Sequence, residues 1–257
     1  MAGPNKGSQL RYVENRMIDD FGCKIVLVDG ALNRIAPMIE TDGIIIATGA
    51  ARNVNIDILV KETKALYDLL NLADISNDEF LHSVQADKII LFPENLNEEK
   101  KLLNYGSLID DSTVKEIIDR IEDTRIIFIP ALIAESALKQ LNDGMGKLWA
   151  NRTLVIKDSI KLLTGGEPEN LLNEINRIKE NGGNVKTLRK LPLLAITVNP
   201  FYPKYRFEKD MYEPGYIDKH ELLEKMRKAV KVPVIDIKHE GATTLLNTLL
   251  ACLEKQS

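Results

Sequence analysis

Short, unbroken apolar runs recur along this chain, with helical patterns between them. KIVLVD (24–29), GIIIATG (43–49), KIILFP (88–93), RIIFIP (125–130), RTLVI (152–156), LLAITV (193–198) and VPVIDI (232–237) all have strand length, and 185–188 is a shorter candidate. None alternates strictly between apolar and polar residues, so each reads as a strand covered on both faces. Between them, apolar residues fall at helical spacing: Leu59, Leu66 and Leu70; Val114, Ile117, Ile118 and Ile121; Leu171, Leu172, Ile175 and Ile178. Such alternation specifies an α/β fold. The expected form is a mainly parallel sheet with helices on both faces, a Rossmann-like or degenerate P-loop-like three-layer sandwich. With 257 residues the chain is long enough for one such core. A single domain over 1–257 is expected, with at most a weak division near 143–150.

Helix boundaries follow from local chemistry. Ser8 is placed to cap a first helix through Asp20, and a short helix is expected over 32–40. Asn53 suits the cap of the helix over 55–72, Ser112 the start of the next, and Asp218 that of 222–230. Pro168 fits a first helical turn and Gly182-Gly183 a stop. Further helices are expected near 133–141 and over 243–254. The stretch NPFYPKYRFEKDMYEPG (199–215) holds three Tyr, two Phe and three Pro and reads as a long ordered loop. Loops of that length either carry function or cover something.

Charge excludes some functions. Thirty-four Lys and Arg face thirty-eight Asp and Glu, a net charge of -4 with an isoelectric point near 5.6, which gives no pull toward nucleic acid or an anionic membrane. Neither a secretory leader nor a run long enough to span a bilayer is legible, so a cytoplasmic location is expected. Cys23 and Cys252 read as small buried hydrophobes in a reducing compartment. His82, His220 and His239 are far apart in sequence, and no Cys-x-x-Cys occurs, which argues against zinc.

In a parallel sheet the turns after the strands gather on one edge, where ligands usually bind. The strongest local signal there is Asp29-Gly30-Ala31-Leu32-Asn33-Arg34. Asp29 puts a carboxylate at a strand end, Gly30 permits a sharp turn, and Asn33 and Arg34 stand near a helix start as an anion clamp. Asp29 would also suit Mg²⁺. An internal Asp29–Arg34 salt bridge explains the same residues equally well. Next come Thr48 and Gly49, followed by Ala50 and Ala51, where small residues allow a close backbone approach and Thr48 offers a hydroxyl. Asn199 ends another strand, as a site residue or as the start of an Asx turn. Asp236 ends the last strand, as a site residue or as the last residue before solvent. Thr164-Gly165-Gly166 is either an anion cradle ahead of Pro168 or a plain connection. There is no Walker A loop, no Gly-x-Gly-x-x-Gly fingerprint, no Gly-x-Ser-x-Gly elbow and no legible triad, so no catalytic residue is assigned.

The combination VDGALNRIAPMIETDGIIIATGA with LAITVNPFYP and VPVIDI resembles the smaller, KamB-type subunit of the lysine 5,6-aminomutase reactivase. The residues carrying it are Asp29-Gly30-Ala31, Arg34, Thr41-Asp42-Gly43 and Thr48-Gly49-Ala50, with Asn199-Pro200 and Pro233-Val234 adding less. The resemblance implies a chaperone-like partner protein in amino-acid fermentation, without independent catalysis. Its partners would be an adenosylcobalamin-dependent aminomutase and a MutS-like ATPase subunit. Any Mg-nucleotide would sit on that companion subunit, and an oligomer is compatible with the role. Proteins of this kind are expected to carry an upstream segment with a P-loop-like turn, which makes this chain a short form. A looser similarity links the strand ends VDGA and ATGA to the dethiobiotin synthetase and MinD-like branch of P-loop proteins. It implies the alternative, a nucleotide- or phosphometabolite-binding α/β enzyme lacking Walker A.

Overall fold

The computed structural model describes residues 7–29, 41–75, 87–94 and 99–254. In chain order its elements are α1 (Gly7–Asp19), β1 (Ile44–Gly49), α2 (Ile56–Leu70), β2 (Ile90–Pro93), β3 (Lys101–Leu102), α3 (Asp111–Asp119), β4 (Thr124–Ile129), α4 (Glu135–Met145), β5 (Thr153–Asp158), α5 (Ile160–Leu163), α6 (Pro168–Glu180), β6 (Asn184–Arg189), β7 (Leu193–Asn199), β8 (Phe201–Arg206), β9 (Met211–Tyr216), α7 (Lys219–Ala229), β10 (Val234–Asp236), α8 (Ile237–Glu240) and α9 (Ala242–Glu254). The fold is mixed α/β, with sheets that are parallel in part. The chain packs as two compact units. The first is Met1–Asp42 with Leu69–Leu191, and the second is Gly43–Asp68 with Pro192–Ser257. The stretch 143–150 lies inside the first unit, where α4 runs into a tight helical turn at Gly146–Trp149.

The first unit is built on a sheet of order β3-β2-β4-β5-β6. β4, β5 and β6 run parallel. β2 runs antiparallel to both β3 and β4, against the expected direction. An apolar run states that a strand is covered; it does not state which way the strand points. Ile75, Ile90, Phe92, Ile126, Phe128 and Val155 form one buried cluster, with Leu188 packed against it. Each of its two phenylalanines, fully buried, contributes about 1.5–3 kcal/mol. α6 packs on β6 and on α4, and α5 on β5.

In the second unit β7 is the central strand of a parallel sheet, order β1-β7-β10. All of β7 except Asn199 is buried, whereas β1 is half open, with Ala47 exposed. α7 and α9 pack on β7, and Leu222 and Met226 of α7 and Leu249 of α9 are buried. The stretch read as a long loop is instead a hairpin, β8 paired antiparallel with β9. Tyr205 lies opposite Tyr212, and Phe201 opposite Tyr216, so aromatic cross-strand pairs hold together what proline and charge made look irregular. Gly215 leaves room for the Tyr202 ring, which a Cβ would meet at 2.6 Å.

Several boundaries differ for identifiable reasons. Residues 24–29 form no strand, and Leu27 is 73% exposed. An apolar run becomes a strand only where a neighbour takes its backbone N–H and C=O groups, and no ladder among the described residues includes it. The cap of α2 is Asn55, whose side chain accepts from Asp57 N and Ile58 N; Asn53 accepts instead from Asn55 N. Asp110, not Ser112, caps α3, accepting from Thr113 N as well as from the Ser112 hydroxyl. Ser8 lies inside α1. Pro168 and Asp218 stand where expected. Cys23 and Cys252 are unpaired and half-buried rather than buried. The helix expected over 32–40 and His82 lie outside the described residues.

Candidate functional site

Parallel pairing brings three strand ends of the second unit to one edge. Gly49 is in register with Asn199; Thr48 and Asp236 are both in register with Val198. Paired residues of parallel strands point to the same face. Thr48 and Asp236 therefore share a row with Val198 between them, while Gly49 and Asn199 occupy the next row.

Of the residues singled out in the sequence, this edge gathers Thr48, Gly49, Asn199 and Asp236. Gly49 is required by packing: a Cβ there would sit 2.1 Å from the Asn199 carbonyl oxygen, which accepts from Ala50 N. The Asn199 side chain accepts from Phe201 N at 3.0 Å, an Asx turn that launches the hairpin. Asp29 is exposed, lies in a stretch of the first unit without regular structure, and ends no strand. Gly30, Asn33 and Arg34 lie outside the described residues.

Asp236 is the centre of the edge. It is 3% exposed, and its Oδ1 accepts from Lys238 N and His239 N, closing the short helix α8. Its Oδ2 lies 2.7 Å from His239 Nδ1. A buried carboxylate at that distance fixes the ring orientation and keeps the proton on Nδ1. In the neutral ring, His239 Nε2 is then the lone-pair nitrogen. It has no partner among the described residues, and the side chain is 40% exposed. The pair is braced from behind. Asp236 N donates to Glu240 Oε2, Glu240 Oε1 pairs with Arg227, and Arg227 also donates to Val234 O. Beside it, Lys238 Nζ lies 5.0 Å from the centre of the Tyr216 ring and 3.4 Å from its hydroxyl.

Sequence reasoning passed over His239 because zinc spacing was the only test put to the histidines. The usable signal was Asp236-x-x-His239 just after a strand end, which sets the two side chains one helical turn apart.

The first unit spends its strand-end polar groups differently. Asp158 ends β5 and is 2% exposed; its carboxylate accepts from Lys161 N, and burial pushes its pKa up. The Thr164-Gly165-Gly166 turn is a tight connection: a Cβ on Gly165 would lie 1.7 Å from the Ile133 carbonyl oxygen. The Glu135 carboxylate fills that turn and accepts from Glu167 N, so an added anion would meet a like charge.

Among the described residues, no group of three or more His, Cys, Asp or Glu is placed to hold a metal ion, and no helix is long and apolar enough to cross a membrane. No protein-family model, curated protein or solved structure matches the chain. What the geometry defines is an α/β unit whose parallel edge presents a carboxylate-oriented imidazole beside an aromatic hairpin.

Proposed function

We propose that this chain is a non-catalytic, partner-binding subunit of a complex that reactivates an adenosylcobalamin-dependent aminomutase. One observation carries the reading: the hairpin has two unlike faces. On one lie Phe201, Pro203 and Tyr205, opposite Tyr216, Pro214 and Tyr212; on the other lie Tyr202, Lys204 and Arg206, opposite Gly215, Glu213 and Met211. The aromatic face is open, with Tyr212 65% and Tyr216 56% exposed, and Phe207 at the tip is 85% exposed. Exposed aromatics in a cluster, rimmed by charge, are the composition of protein-binding hot spots. On the charged face Lys209 and Arg206 both pair with Glu213, whose carboxylate they hold below its usual range. The sequence resemblance names the partner; the hairpin supplies a surface suited to it. Two strands alone make a marginal sheet, and a partner against the aromatic face would add the burial it lacks.

The test is co-purification of the full chain with the aminomutase and a MutS-like ATPase, followed by recovery of activity in mutase whose cofactor has been damaged. Phe207→Ala is expected to weaken association sharply while leaving the melting temperature within a few degrees, since that ring is 85% exposed and takes no part in the cross-strand pairs. Absence of association by the unaltered chain, together with no rescue, contradicts the proposal.

A second reading has its own support. Thr48 is half-buried at the carboxyl edge and offers a hydroxyl to a nucleotide or phosphorylated metabolite, in a degenerate P-loop-like three-layer sandwich. Calorimetry with Mg-nucleotides and phosphometabolites tests it. Heat that Thr48→Ala removes supports this reading, and no heat with any of them rejects it.

A further inference from the structure

We infer that His239 is a phosphoryl-acceptor site: Nε2 takes the phosphoryl group of an acyl phosphate and holds it as a phosphohistidine. The inference rests on the site and not on the reactivating role. The product of such a transfer is dipolar. A ring phosphorylated on Nε2 and still protonated on Nδ1 is cationic, while the phosphoryl group on it is anionic. It needs a carboxylate at Nδ1 and a cation within reach of the phosphoryl oxygens, and this site supplies both. The buried Asp236 carboxylate lies 2.7 Å from Nδ1. There it keeps the proton on Nδ1, raises the basicity of Nε2 and offsets the charge that the ring gains. Glu240, itself paired with Arg227, accepts from Asp236 N and fixes the backbone from which that carboxylate projects. The side chain of His239 is 40% exposed, which opens the ring to a donor. The cation comes from the adjoining residue. Lys238 has no carboxylate partner among the described residues; its ammonium rests 5.0 Å from the centre of the Tyr216 ring and 3.4 Å from the Tyr216 hydroxyl. Those are weak holds at an exposed site, and a phosphoryl group on the next residue attracts the ammonium more strongly.

The transfer is a substitution at phosphorus. The Nε2 lone pair forms the N–P bond, the P–O bond to the acyl oxygen breaks, and the electron pair leaves with the carboxylate. Nothing is oxidised or reduced. The carboxylate departs unprotonated, so the site needs no acid, and the ring proton stays on Nδ1 against Asp236. An acyl phosphate suits the site for that reason.

Acetyl phosphate incubated with the full chain at neutral pH tests the inference, read by phosphorus NMR and by mass spectrometry of peptides kept from acid. His220 is the internal control: it is also exposed, and no carboxylate is hydrogen-bonded to its ring among the described residues. The expected result is an acid-labile phosphoryl group on Nε2 of His239, formed at least about tenfold faster than any on His220. Asp236→Asn is expected to slow labelling of His239 by about 10–100-fold and to leave the rate at His220 unchanged, which loss of the fold would not do. Lys238→Ala is expected to slow it by less. His239→Gln, checked by circular dichroism, is expected to remove the label with the fold intact. No label in the unaltered chain, equal rates at His239 and His220, a phosphoryl group on Nδ1, or undiminished labelling in Asp236→Asn would overturn the inference.

Discussion

Both units end a parallel strand on a buried carboxylate, and they use it in opposite ways. In the first, Asp158 closes β5, accepts from Lys161 N in the first turn of the short helix α5, and carries a desolvation cost expressed as a raised pKa. In the second, Asp236 closes β10, caps α8 by accepting from Lys238 N and His239 N, and uses its remaining oxygen to hold the His239 ring. A strand-end Asp is therefore ambiguous alone. What separates a folded-in cap from a site is whether the next helical turn supplies a group that the carboxylate can present. Lys161 follows Asp158 at the same spacing at which His239 follows Asp236, but Asp158 accepts only the backbone N–H of Lys161, whereas Asp236 also holds the His239 ring.

The largest effects expected are those of the glycines that let each edge close. Gly49→Ala puts a Cβ against the Asn199 carbonyl, and Gly165→Ala puts one against the Ile133 carbonyl. Each is expected to cost about 2–4 kcal/mol in denaturant melts, because backbone, unlike a flexible side chain, cannot yield cheaply. Gly49→Ala should also loosen the second unit's strand ends ahead of the first, and native-state hydrogen exchange reads that order. If both variants lowered protection equally everywhere, the two-unit description would fail.

A smaller effect is expected at the start of α2. Asn55→Ala removes the acceptor of Asp57 N and Ile58 N and is expected to cost about 1 kcal/mol; Asn53→Ala, which frees only Asn55 N, should cost less. Equal losses in urea titrations would return the cap to Asn53.

The smallest change should be a gain. Because burial raises the Asp158 pKa in the folded chain, the native state holds that proton more tightly than the unfolded chain does. Stability from this group is then full in acid, falls as pH rises from the unfolded to the folded pKa, and stays reduced above it. Asp158→Asn keeps the acceptor for Lys161 N without the buried charge. It should raise the melting temperature at neutral pH, with the advantage shrinking toward acid. A drop in melting temperature at neutral pH would mean that the charge is needed there.

The alternation of apolar runs and helical patterns made the α/β class legible, and Pro168 and Asp218 marked two helix starts as found. Direction was not legible: β2 is as apolar as β4 and runs the other way. Nor was pairing, since residues 24–29 have the composition of a strand and no ladder partner among the described residues. The hairpin was hidden because its stability lies in pairs across the turn, Tyr205 with Tyr212 and Phe201 with Tyr216, which a reading along the chain does not bring together. At the site, Thr48, Gly49 and Asn199 were legible as strand ends, although two of them serve local backbone. His239 was missed because its meaning comes from a carboxylate one helical turn earlier and from the exposure of its far nitrogen.

The most direct test of the contrast between the two edges is the His239 tautomer. Long-range proton–nitrogen NMR on the full chain, at a pH where the ring is neutral, distinguishes Nδ1–H from Nε2–H. The expected result is a proton on Nδ1 and a bare Nε2, reverting to a mixture in Asp236→Asn. A proton found on Nε2 in the unaltered chain would contradict the assignment, and the second edge would then be as fully spent on its own backbone as the first.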